Sequence, residues 1–224
     1  MDQLQDRSKA RELAKSSIER GEPIVWFEEL YKLGESDSRV VPWADRKPNP
    51  HLVAWAEKSE VQGNRAKALV VGCGYGDDAE WLANKGFEVT AFDVSETAVS
   101  AARRRFQNSS VSYEVADLLR LPSDWQRQFD FVLEAYTLQV LLGELRSKAA
   151  ASIASTVKDT LLVIARGREE NDSPGLMPWP LTKSDLKPIL ESRPDLTEVA
   201  FEDYFDNEKP PARRFVVEYR KLLD

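Results

Sequence analysis

Residues 68–86, ALVVGCGYGDDAEWLANKG, constrain the fold more than any other stretch of this 224-residue chain. An apolar run enters glycines 72, 74 and 76, and a helical pattern with Ala79, Leu82 and Ala83 on one face follows until Gly86. An apolar run without alternation marks a strand buried on both faces, as in a parallel sheet covered by helices. The grammar then repeats. FEVTAFD reads as a strand, SETAVSAARRRF as a helix capped by Ser95, VSYEVAD and FDFVLEA as strands, GELRSKAAASIASTV as a helix, and DTLLVIAR as a buried strand. Short connections between these elements predict an α/β fold with a doubly wound, mostly parallel sheet. LTEVAFEDYFD and ARRFVVEYRKLL, around NEKPP, are expected to form an antiparallel hairpin at one sheet edge.

Upstream of residue 66 the pattern is different. Residues 1 to about 20 read as a polar helix, and IVWFEELYKLG as an aromatic-rich helix closed by Gly34. A loop punctuated by Pro42, Pro48 and Pro50 leads into NPHLVAWAEKSE, a helix with Asn49 as N-cap and Pro50 at its first position. Residues 1–65 are therefore expected to be an N-terminal helical cap or lid, and residues 66–224 the sheet domain. The chain carries a net charge of -7, which disfavours a nucleic-acid partner; the basic run ARRRF reads as a solvated helix face, with a local basic groove as the alternative. Cys73 is the sole cysteine and His51 the sole histidine, which excludes a disulfide framework and a thiolate metal cluster. The polar N-terminus lacks a signal-peptide core, and no run approaches the ~20 apolar residues of a membrane span. The expectation is a cytoplasmic protein, monomeric or homodimeric, with a small-molecule partner, no membrane partner and no metal.

Dinucleotide-binding turns follow G-x-G-x-x-G, with the third glycine packing helix on strand. Here the spacing is G-x-G-x-G, and Asp77 stands at the third position. Asp77 and Asp78 suit the first turn of a helix but would repel a pyrophosphate docking there. A nucleoside without phosphate fits better. S-adenosylmethionine qualifies, because its cationic centres tolerate nearby carboxylates, and Gly72 and Gly74 would let the backbone approach it closely. Asp93 ends the second strand 21 positions after Gly72, where one carboxylate can accept from both ribose hydroxyls. Asp117 ends the third strand and either accepts from the adenine amino group or caps the LLRLP turn.

These residues resemble the class I S-adenosylmethionine-dependent methyltransferases. VVGCGYG is similar to the family's first motif, FDVS to its second, ADLLRLP to its adenine-side motif and FDFVLEAYTLQVL to its fourth-strand motif. The resemblance covers roughly residues 66–166, with the hairpin at 195–221 matching the sixth and seventh strands. It implies a Rossmann-like seven-stranded sheet with an antiparallel last strand, and cofactor contacts from Gly72, Cys73, Gly74, Asp93, Val94, Asp117, Leu118 and Glu134. One position departs: Val70 stands where many members carry an acid. The thiopurine, thiol and halide methyltransferases share that departure, and their N-terminal aromatic cluster resembles WFEELY followed by VVPWADRKPNP. By that resemblance Trp26, Tyr31 and Trp43 would close over the cofactor. A sulfonium on an aromatic face gains ~0.5–2 kcal/mol, although tryptophans at helical spacing read equally as core.

The expected reaction is methyl transfer to a small molecule, favouring a soft nucleophile such as a thiol or a halide. A thiol with pKa near ~8.5 is already partly thiolate at neutral pH and a halide needs no base, which suits a chain without an obvious catalytic dyad. Oxygen or nitrogen acceptors would more often need a base. Glu134 at the end of the fourth strand is the candidate, with Tyr136 orienting the acceptor; Glu134 reads equally as a carboxylate holding the cofactor's amino end. His51 reads as a surface residue at a helix start, with a substrate role as the alternative. The GLMPWPL loop reads as an acceptor-pocket wall or a proline-stiffened surface loop, and Arg213 and Arg214 as partners of an anionic acceptor or as edge-strand charges. Two other classes remain open: a nucleotide-dependent oxidoreductase, against which Asp77 argues, and a methyltransferase fold retained for binding.

Overall fold

The computed structural model describes residues 7–222. The six residues that begin the expected first helix, Met1 to Asp6, lie outside the described residues. Strands β1 (Lys67–Val71), β2 (Glu88–Asp93), β3 (Ser112–Val115), β4 (Phe129–Ala135), β5 (Val157–Arg166), β6 (Leu196–Phe205) and β7 (Arg213–Lys221) form a seven-stranded sheet in the order β3-β2-β1-β4-β5-β7-β6. β1 through β5 pair in parallel, and β7 runs antiparallel to both β5 and β6. The order reverses between β1 and β4. That switch point opens a crevice at the carboxyl ends of β1, β2 and β4, where open α/β sheets hold their ligands.

The helices are α1 (Ser8–Glu19), α2 (Val25–Ser36), α3 (Pro50–Lys58), α4 (Asp77–Asn84), α5 (Glu96–Arg105), α6 (Gly143–Thr156) and α7 (Lys187–Ser192). α3, α4 and α5 cover one sheet face, burying Leu52, Leu82 and Val99 against Val70, Leu133 and Ile164. α6 and α7 cover the other, with Ile153 and Ile189 against Val71, Val132 and Leu161. The central strands β1, β4 and β5 are therefore buried on both sides, which explains the unalternating runs in β1 and β5. A third cluster lies beneath the N-terminal helices: Trp26, Leu30, Tyr31 and Val41 with Tyr75, Ala98 and Met177.

Several boundaries differ from the reading of the sequence. α2 does not stop at Gly34 but runs on to Ser36. Gly34 is instead a close-approach residue, since a Cβ there would meet Tyr75 Oη and Val41 Cγ2 at 2.8 Å. β3 ends at Val115, and Asp117 starts a short 3-10 turn (Leu118–Arg120) by accepting from the Leu119 N–H at 2.9 Å. Thr182 opens a 3-10 turn (Ser184–Leu186) that precedes α7. Thr182 Oγ1 accepts from Asp185 N–H at 3.2 Å while the Asp185 carboxylate accepts from Thr182 N–H at 2.8 Å, a reciprocal box. Asn49 caps α3 as expected, accepting from His51 N–H at 2.9 Å, and Ser95 caps α5 by accepting from Ala98 N–H at 3.1 Å. The ARRRF run is not simply solvated. Arg105 forms a bidentate pair with Asp77 at 2.8 and 3.0 Å and also donates to the Tyr75 carbonyl, pinning α5 to the start of α4. Among the described residues, no helix is long and apolar enough to cross a membrane.

Candidate functional site

The glycine turn between β1 and α4 brings three elements together. Gly72 and Gly74 have φ of +61° and +52°, a region that disfavours any residue with a Cβ. Space forbids a Cβ as well: at Gly72 it would lie 2.4 Å from Thr137 Oγ1, and at Gly74 2.8 Å from Tyr31 Oη. Thr137 comes from the turn after β4 and Tyr31 from α2. The two aspartates that follow the turn both have protein partners. Asp77 holds Arg105, and Asp78 accepts from the Asn49 backbone N–H at 2.6 Å, fastening the start of α3 to the start of α4. Burial pushes Asp78 up to about 6.

Asp93 is buried at the end of β2, 6% exposed. Its Oδ2 accepts from Gly74 N–H at 3.0 Å and its Oδ1 from Ser95 N–H at 2.9 Å, so one carboxylate ties the glycine turn to the start of α5. Burial raises its pKa to about 6 against the opposing effect of these backbone bonds. Cys73 lies within the turn, its N–H donating to the Phe92 carbonyl at 2.8 Å; burial pushes its thiol well up, which leaves it un-ionised. Val94 is half-buried beside Asp93, and Leu118 is buried one residue after Asp117. Thus Gly72, Cys73, Gly74, Asp93 and Val94 are contiguous in space, and Asp117 and Leu118 follow β3, whose last residue pairs with Asp93.

The N-terminal aromatics take distinct places. Trp26 is fully buried, stacked on Phe27 with centroids 3.9 Å apart and donating from Nε1 to the Pro23 carbonyl at 3.0 Å. Trp43 is half-buried and donates from Nε1 to Tyr31 Oη at 2.8 Å, which positions that hydroxyl over Gly74. On the outer side of Tyr31 a cavity of about 310 Å³ lies between α2 and α5, lined also by Arg46, Tyr75 and Arg104.

Glu28 was not singled out from the sequence, yet it fastens α2 over the crevice. Its carboxylate accepts from Ser95 Oγ at 2.6 Å, Thr97 Oγ1 at 2.7 Å and Thr97 N–H at 3.2 Å. Burial opposes its ionisation, but the bonds from Ser95 and Thr97 outweigh it and hold the carboxyl below its ordinary range. The signal was legible: Ile24, Glu28 and Tyr31 recur at helical spacing, which places an acid on an otherwise apolar face.

Glu134 sits opposite Val71 in the β1–β4 register and is fully buried. Its Oε1 accepts from Thr137 N–H at 2.7 Å and Leu138 N–H at 2.9 Å, closing the turn after β4, while Oε2 has no partner among the described residues. Burial raises its pKa to about 7. Between its ordinary 4.5 and about 7, the folded chain therefore holds a proton that the unfolded chain has lost, so stability falls as pH rises through that window. Glu134→Gln is expected to flatten this part of the profile, whose span is up to about 3 kcal/mol. Urea titrations of both chains at pH 5 and 8 test this, and equal pH slopes would refute it. Tyr136 follows β4 with φ +67°, strained for a bulky residue, and Arg214 lies 5.5 Å from its ring centroid. The loop after β5 is drawn towards the cap: Met177 joins the third cluster, and its carbonyl accepts from Arg11 Nε of α1 at 2.7 Å.

Comparison with known proteins agrees with this geometry. Residues 68–160 match the family described as Methyltransferase domain. A ubiquinone biosynthesis O-methyltransferase of Pseudomonas syringae pv. tomato is 33% identical over 121 residues, covering 52% of this chain and 50% of that protein. The chain thus spans about half the length of the curated relative it matches. The structure is similar to magnesium protoporphyrin IX methyltransferase from Synechocystis PCC 6803 with bound S-adenosylmethionine, with a TM-score of 0.60, 18% identity and coverage of 99% and 100% of the two chains. It is also similar to the Burkholderia thailandensis 1,6-didemethyltoxoflavin-N1-methyltransferase with its substrate and S-adenosylhomocysteine, with a TM-score of 0.61, 18% identity and coverage of 97% and 89%. Residues 68–160 thus match a methyltransferase domain by sequence, and over nearly its whole length the chain shares the fold of these methyltransferase structures.

Proposed function

We propose that the protein transfers a methyl group from S-adenosylmethionine to a small-molecule acceptor, and that it favours a soft nucleophile, a thiol or a halide. The observation that carries the cofactor assignment is Asp93 bound to Gly74 N–H, which sets a buried carboxylate beside a turn that no Cβ can enter. Gly72 and Gly74 would admit the nucleoside, Asp93 would accept from its ribose hydroxyls, and Asp117 and Leu118 would flank the base. The bound cofactor would supply an already activated methyl group. The residues then have to orient an acceptor and exclude water, and orientation of this kind is worth up to ~7–11 kcal/mol. Support for a soft acceptor comes from Glu134, whose Oε1 is committed to the Thr137 and Leu138 N–H groups.

A second reading, oxygen or nitrogen methylation with Glu134 as base, is favoured by the O-methyltransferase likeness. Formation of S-adenosylhomocysteine across thiols, iodide, phenols and amines decides between them. Turnover confined to phenols or amines would discard the soft-nucleophile preference.

The cap formed by α1 and α2 would act as a lid held by Glu28. Glu28→Gln removes a charged acceptor of three bonds, each worth about 1.5–3 kcal/mol in a favourable setting. Limited proteolysis is expected to cut between residues 20 and 48 at least tenfold faster in the variant, and S-adenosylhomocysteine is expected to protect the parent chain. Digestion unaffected by either change would remove the lid assignment.

A further inference from the structure

His51, the sole histidine, lies in the first turn of α3, on the segment that Asp78 fastens to the glycine turn through Asn49. Its Nδ1 lies 2.6 Å from Tyr204 Oη of β6. Four elements converge here: α3 supplies His51, β6 supplies Tyr204, the end of β4 supplies Tyr136, and β7 supplies Arg214. The Arg214 guanidinium faces the Tyr136 ring and influences His51 and Tyr204 as well. It is itself held by Asp206 and Glu208, each at 2.5 Å. The cluster therefore stands at the carboxyl edge of the sheet, where Arg214 pairs with Arg166 at the end of β5 and with Tyr204 of β6, and Asn49 beside His51 is tied to Asp78 after the glycine turn.

We propose that His51, held by Tyr204, accepts the proton of a thiol acceptor, so that the soft nucleophile is a protic one and not a halide. This inference rests on the methyl-transfer reading above. A halide has no proton to lose and would gain nothing from an imidazole. A thiol does lose one, and a neutral imidazole is the group suited to take it near pH 7. Burial and then the Arg214 charge lower the His51 pKa, while Asp206 and Glu208 raise it; burial and Arg214 prevail, so the ring is neutral at pH 7.

The step balances. In the tautomer this step requires, Nδ1–H donates to Tyr204 Oη and the lone pair lies on Nε2. The acceptor S–H bond breaks and an N–H bond forms on Nε2, while the electron pair left on sulfur attacks the methyl carbon. The pair from the broken sulfonium bond stays on the departing thioether. The imidazolium then releases its proton to solvent. His51 is the catalytic residue in this scheme and Tyr204 its positioning residue.

The test uses the full chain with S-adenosylmethionine, 2-mercaptoethanol, the more acidic thiophenol, and iodide, together with calorimetric binding of S-adenosylhomocysteine. His51→Gln is expected to lower kcat/KM for 2-mercaptoethanol roughly 100-fold at pH 7. Thiophenol should suffer less, and the deficit should shrink as pH rises towards 9.5, because the thiolate then forms without help. Tyr204→Phe keeps the imidazole and should show a smaller loss with the same pH shape. A readout independent of turnover is the proton resonance of the single imidazole. Saturating 2-mercaptoethanol should raise its titration midpoint by about 1 unit or more, as a thiolate–imidazolium pair forms. An unchanged midpoint, a His51→Gln deficit independent of pH and thiol acidity, or turnover of iodide but of neither thiol would each overturn the proposal. Failure of S-adenosylhomocysteine to bind the parent chain would overturn the methyl-transfer reading itself, and this inference with it.

Discussion

Asp93→Ala is expected to lower affinity for S-adenosylhomocysteine by about 100-fold or more, as calorimetry at pH 7.5 would read it. A charged acceptor of two hydroxyl hydrogen bonds contributes about 1.5–3 kcal/mol per bond, and the loss of both corresponds to that factor. The substitution also unfastens the turn, since the carboxylate accepts from Gly74 and Ser95 N–H groups in the folded chain. Asp93→Asn is expected to fail nearly as badly, because an amide must aim its NH2 at one of those two N–H donors. A pH signature separates this from general damage. With the folded-state pKa at about 6, the ionised acceptor is lost below that value, so affinity in the parent chain falls roughly tenfold per pH unit under pH 6 and is flat above it. The stability effect of the same group has the opposite sense. Its pKa is raised from 3.8, so the folded chain binds the extra proton and stability declines as pH rises from about 4 to 6. Tight binding by Asp93→Ala would place the nucleoside elsewhere.

Trp26→Ala is expected to cost roughly 3–5 kcal/mol, the usual range for emptying a fully buried tryptophan site. The indole has 0% exposure, stacks on Phe27, meets Trp43 edge-on at 6.1 Å and satisfies its N–H on Pro23. Collapse cannot refill such a volume from Leu30 and Val41 alone. The damage is expected to stay in the cap, because Trp26 belongs to the cluster beneath α1 and α2, separate from the two clusters flanking the sheet. Proteolysis of the segment before Asn49 should accelerate while the far-ultraviolet dichroism of the sheet persists. A fall in Tm of about 10 °C is the matching thermal result for the cap. A shift under about 2 °C would mean that the indole is not the centre of that cluster.

Much of this molecule was readable from local chemistry. The strand, glycine turn and helix at residues 67–84 are dictated by apolar runs, by glycines at left-handed φ and by acids in a first helical turn, and each signal acts within a few residues. Asn49 and Ser95 reveal their caps for the same reason. The purposes of Asp77 and Asp78 were not readable. Their spacing argued against a phosphate ligand, but their partners, Arg105 and Asn49, are 28 and 29 residues distant and meet them only through packing.

The candidate site shows the same division. Strand-end positions place Asp93, Glu134 and Tyr136 at one edge of the sheet, because a parallel sheet lines up the carboxyl ends of its strands. Periodicity could not show that Glu134 turns its bonded oxygen to the Thr137 and Leu138 N–H groups. Nor could it show that Glu28 reaches across to Ser95 and Thr97, or that His51 meets Tyr204, 153 residues away. The sequence by itself determined the strands, the helices and the turn, since propensity, capping and apolar period are properties of neighbouring residues. Which polar groups face one another was decided only by the tertiary structure, because those pairings depend on how the helices of the cap and the final hairpin are carried across the sheet.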